Sequence, residues 1–63
     1  MDDSRLNMSL RKFLKHLGVT AQQEIEEAVR KSGKTSGKVA VTGRVIAPDI
    51  ALDHKVEGEL DLG

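Results

Sequence analysis

The apolar residues of this chain change their period once, and that change limits the folds open to it. Before Ser32 they recur with the 3.6-residue spacing of a helix. After Gly37 they alternate with period two, the spacing of a half-buried strand. A chain that switches in this way must lay helix against sheet, which places it in the α+β class.

In the helical part, Leu6, Leu10, Phe13, Leu14 and Leu17 fall on one face, and Ala21, Ile25, Ala28 and Val29 continue the stripe. Asp2, Asp3 and Ser4 are suitable N-cap residues, and negative charge there suits the helix dipole. Gly18 fits the left-handed position that ends a helix, with Leu14 and Val19 as the accompanying apolar contact. Thr20 then fits the N-cap of a second helix, with Gln23 closing a capping box. The spacing therefore predicts a two-helix hairpin, about 4–17 and 21–32, with Phe13 in its core.

Ser32–Gly37 is a polar run of turn residues, so 33–37 is predicted as a flexible linker. Beyond it, strands are predicted over about 38–46 and 51–61, joined at Ala47-Pro48-Asp49-Ile50 with proline second in the turn. The apolar positions are odd-numbered in the first strand and even-numbered in the second, so paired numbers must add to an odd value. A sum of 97 sets Val41 against Val56 and Val45 against Leu52. On the other face it sets Arg44 against Asp53 and Lys38 against Glu59, opposite charges directly across. The expected architecture is one domain, 1–63, of order α-α-β-β, with the helical hairpin packed on one face of a two-stranded antiparallel β-hairpin. Two strands alone leave two open edges.

Sixty-three residues lie near the lower limit for a self-supporting core, and no cysteine is present to staple one. Lys+Arg and Asp+Glu balance at ten each, so no global field draws the chain to nucleic acid or lipid. The charge is nevertheless segregated: residues 1–18 carry +2, 19–32 carry −1, 33–48 carry +3 and 49–63 carry −4. No apolar run approaches the roughly 20 residues of a membrane span. The opening Met-Asp-Asp-Ser lacks the basic start and apolar run of a secretion signal, so a cytoplasmic location is expected.

The runs Asn7-Met-Ser-Leu-Arg-Lys-Phe-Leu-Lys, Gly18-Val-Thr-Ala-Gln-Gln-Glu-Ile-Glu and His54-Lys-Val-Glu-Gly-Glu-Leu resemble a family of small uncharacterised bacterial proteins. The resemblance covers nearly the whole chain. That family has no assigned activity, so it implies no catalytic or binding residue.

Candidate sites are few. Gly33-Lys34-Thr35 matches the end of a phosphate-binding loop, but Ala28 stands where its first glycine belongs and a helix precedes it. His54 alternates onto the apolar face, across from Gly43 in the expected register, where its imidazole would fill the space that the glycine leaves. No second group is spaced to orient it for catalysis. Two histidines alone do not make a zinc site, and no cofactor is expected. Arg5, Arg11, Lys12 and Lys15 form a basic helix face, and Lys38 and Arg44 add positive charge to the first strand. This set is the candidate interaction surface. Helix-turn-helix DNA binding is disfavoured because the second helix would bring Glu24, Glu26 and Glu27 toward phosphates. With Phe13 as the sole aromatic residue, base stacking has little to use. The expectation is a non-enzymatic protein-interaction module, pairing through its strand edges with a partner protein or its own copy. Nucleic-acid or anionic-surface binding by the basic helix face is the alternative.

Overall fold

The computed structural model describes residues 1–63, and it holds one helix where the sequence predicts two. Helix α1 runs unbroken over Asp3–Ser32. It is followed by strand β1, Lys38–Ala47, a 3-10 turn at Pro48–Ile50, and strand β2, Leu52–Asp61. The order is α-β-β, which overturns the expected helical hairpin.

The physical reason lies at Gly18 and Thr20. A helical glycine costs about 1 kcal/mol relative to alanine, whereas stopping would require a second helix to be nucleated afresh. The residues after it, Ala21 to Lys31, are mostly strong helix formers. Thr20 does not cap. Its hydroxyl donates to the His16 carbonyl at 2.9 Å and approaches that of Leu17 at 3.4 Å, the back-bonding a mid-helix threonine uses. The true ends carry the expected chemistry elsewhere. Asp2 is the N-cap, accepting from the Arg5 amide at 3.1 Å, and Gly33 ends the helix with a left-handed φ of 75°.

The two strands pair antiparallel with Val41 opposite Gly58, Val45 opposite His54 and Ala47 opposite Leu52. The face assignment from alternation holds, but paired numbers add to 99 rather than 97. The turn decides this. A sum of 97 would close the hairpin with the two-residue loop Pro48-Asp49. Such loops need positive φ at their first residue, which the proline ring forbids. The chain instead uses four residues, Pro48–Ala51, with Ala51 at φ 55° and its amide bonded to the Pro48 carbonyl at 3.1 Å. At the far end, Gly37 continues the ladder. Its amide donates to Gly63 and its carbonyl accepts from Leu62. The predicted linker is thus partly recruited into the sheet.

The helix lies along the apolar face of the hairpin without closing on it. No residue of the chain is buried. Ala21, Ile25 and Val29 on the helix, and Val39, Val41, Val45 and Leu60 on the strands, are half-covered. No hydrogen bond or ion pair joins α1 to either strand. The molecule measures 47 × 20 × 17 Å with a radius of gyration of 15.2 Å, against about 11 Å for a compact domain of this length.

Candidate functional site

The basic residues singled out from the sequence are not gathered into one site. Arg5 sits in the first turn of α1 with its guanidinium 3.8 Å from the Asp2 carboxylate, a loose and exposed pair. Arg11, Lys12 and Lys15 are exposed along the middle of the same helix and make no ion pair. Lys38 opens β1, beyond the C-terminal end of that helix, and faces Asp61 across the ladder rather than Glu59.

Arg44 is engaged. Its direct neighbour across the sheet is Lys55, a like charge that would repel it. The guanidinium instead reaches diagonally to Asp53 with two bonds, Nε to Oδ1 at 2.8 Å and Nη2 to Oδ2 at 2.6 Å. Lys55 turns the other way and pairs with Glu57 at 3.0 Å. The bidentate bond to Arg44 holds the Asp53 carboxyl below the usual carboxylate range and raises the arginine in turn. The predicted Arg44–Asp53 attraction is therefore present, as a diagonal and not a direct pair.

His54 stands on the apolar face opposite Val45, not Gly43. A Cβ at Gly43 would meet nothing within 4 Å, so the imidazole does not fill the space above that glycine. His54 and Gly43 line an open groove of about 440 Å³ with Leu14, Leu17, Gly18 and Val56. A second groove, about 300 Å³, lies toward the helix C-terminus between Ile25, Ala28 and Val29 on one side and Val39, Val41 and Leu60 on the other. Both are clefts between helix and sheet that a packed core would close. No group of three or more His, Cys, Asp or Glu side chains is placed to hold a metal ion, and no helix is long and apolar enough to cross a membrane.

The larger feature is the apolar stripe of α1, whose spacing is plain in the sequence and whose role is not. The sequence predicts that Leu6, Leu10, Phe13, Leu14 and Leu17 pack against the elements downstream, a second helix among them. That helix does not exist, so the stripe is exposed, with Phe13 at 52%. No residue before Leu14 lines either groove, so neither cleft reaches the first eleven residues of the helix, Asp3–Phe13. The signal available in the sequence was a mismatch of length. A 30-residue helix spans about 45 Å, and a ten-residue strand only about 33 Å.

A single long amphipathic helix with an antiparallel hairpin laid on its C-terminal half defines a small α+β protein whose apolar surfaces are incompletely closed. The chain matches the family of unknown function DUF6494 over residues 1–63 and belongs to that family. Comparison with curated proteins and with solved structures finds no match.

Proposed function

We propose that this protein is a non-catalytic protein-interaction module whose working surface is the apolar stripe of α1 between Leu6 and Leu17. The observation that carries the reading is the complete lack of buried residues beside twelve large apolar side chains left exposed. The chain presents 5777 Å² to solvent, where a compact protein of 6.9 kDa presents about 4000 Å². The excess, about 1,800 Å², exceeds the roughly 800 Å² that each partner gives to an ordinary protein interface. Excess accessible surface on this scale, carrying twelve large exposed apolar side chains, supports a surface that another protein covers.

Pairing through the strand edges is the weaker form of the same reading. The edges are open, but the outer face beside them carries Glu57, Glu59 and Asp61, and acidic side chains there discourage strand addition. Anionic-surface binding by Arg11, Lys12 and Lys15 has charge in its favour. It leaves the apolar stripe unexplained.

A photoreactive residue placed at Leu10 in the native cell tests the reading. Protein adducts at Leu10, absent when the same group replaces Lys12 on the opposite side, are the expected result. Adducts only to nucleic acid or lipid, or none to protein, would overturn it.

A further inference from the structure

We infer that the partner is a second copy of this chain, and that two α1 helices pair antiparallel through Leu6, Leu10, Phe13 and Leu17. This rests on the interaction reading above and names its partner. These four residues of α1 follow a 4-3-4 spacing, the a and d positions of two heptads, and of the four only Leu17 also lines the cleft between helix and sheet. Set antiparallel about a two-fold axis between Arg11 and Lys12, they form layers that match themselves. Leu6 of one copy meets Leu17 of the other, and Leu10 meets Phe13, each twice. All four are partly exposed in the single chain, at 42, 45, 52 and 39% respectively, so the seam is open to receive them.

The charges agree with this placement. Within the overlap the ionised residues are Arg11, Lys12 and Lys15, which fall at b, c and f, the positions turned away from a partner helix. The seam's flanks carry Asn7, Ser9, Leu14 and His16, so no like-charge pair forms along it. Farther along the same side of the helix come Thr20, Glu24 and Glu27, which would put carboxylates into a longer seam. The apolar overlap therefore ends near Leu17. Antiparallel order also keeps the two acidic starts, Asp2 and Asp3, at opposite ends of the overlap. A parallel pair would bring them together. Closure of the rest of the excess area falls to Leu14 and the hairpin residue Val56, which are exposed and line the cleft that Leu17 shares.

The chain has no cysteine, so introduced cysteines report geometry without background. Sedimentation equilibrium of the full chain should return twice the 6.9 kDa chain mass at micromolar concentration, unchanged by added salt. Oxidation of a mixture of Leu6→Cys and Leu17→Cys chains should cross-link the two. Either variant alone should stay uncross-linked, because the antiparallel overlap separates identical positions by about 17 Å, far beyond disulfide reach. Leu10→Glu should weaken the dimer by about 100-fold or more. Because that variant can also unfold, the triple change Arg11→Glu, Lys12→Glu and Lys15→Glu serves as the folded control and should leave the dimer intact. Efficient self-cross-linking of Leu6→Cys would replace antiparallel pairing with parallel, and self-cross-linking of Thr42→Cys would move the contact to the strands. Either result overturns the inference. A monomer whose Leu10 still captures another protein overturns the second copy alone and leaves the interaction reading standing. A monomer that captures none removes both.

Discussion

Arg44 grips Asp53 diagonally across the hairpin, with two bonds of 2.8 and 2.6 Å, while Lys55 stands directly opposite the arginine. The contact satisfies the charge match that the sequence suggests in a register the sequence did not suggest. Diagonal neighbours in a sheet lie within reach of a long side chain, so one attractive pair is compatible with two registers. Charge pairing therefore could not choose between sums of 97 and 99, and the turn did.

The pair has a titration signature. Asp53 is held below the ordinary carboxylate range by the Arg44 bond. A group lowered in this way contributes stability above its unfolded pKa, about 3.9, and loses that contribution as pH falls through its folded value. Arg44 is raised, so its contribution persists through neutral pH and fades only in strongly basic solution. Support from the pair is thus constant through neutral pH and, on the acid side, is lost below about pH 4. Carbon-detected titration should show Asp53 ionising at lower pH than it does in Arg44→Gln. Identical midpoints would show that the pair does not form in solution.

Two glycines of the same helix should respond in opposite directions. Gly18 is helical and a Cβ there would meet nothing within 4 Å, so Gly18→Ala should stabilise by about 0.5–1 kcal/mol. Gly33 holds φ 75°, and Gly33→Ala should cost about 1 kcal/mol. Thermal melts at one protein concentration decide both. A destabilising Gly18→Ala would mean that another backbone approaches that position.

The hairpin turn offers a third test. Ala51 is the one residue other than glycine with positive φ. Ala51→Gly should stabilise by roughly 0.5 kcal/mol, the relief of left-handed strain being partly offset by the freedom glycine adds to the unfolded chain. A melting temperature below that of the wild type would contradict the turn geometry.

Register itself can be moved. Replacing Pro48 by Asn and Asp49 by Gly supplies the positive φ values a two-residue loop needs. Cross-strand NOEs should place Val41 opposite Gly58 in the wild type and opposite Val56 in the double variant. Retention of the wild-type pattern in the variant would show that something other than the turn holds the register.

Phe13→Ala separates the single chain from the assembly. A fully buried phenylalanine costs about 3–5 kcal/mol when truncated. Phe13 is half-exposed in its own chain, so any loss of that size must come from a partner and grow as the protein is diluted. A loss independent of concentration would place Phe13 in a core within the chain.

Some of this protein was decided by its sequence alone, because the signals are local. The switch of period at Ser32–Gly37 dictates helix then strands, alternation assigns each strand residue to its face, and Asp2 and Gly33 close the helix with their own short-range chemistry. Gly18 shows the limit of local signals: a glycine marks a stop only when its neighbours fail to carry the helix across it, and here Thr20 bonds backward and Ala21–Lys31 continue. Register required the three-dimensional fit of Pro48 into a loop, which local pattern does not contain. The fate of Leu6, Leu10, Phe13 and Leu17 belonged wholly to the tertiary structure. Spacing shows that these residues share a face, but only the placement of the hairpin along α1 shows that the face is left uncovered, because burial depends on which surfaces the chain can bring together.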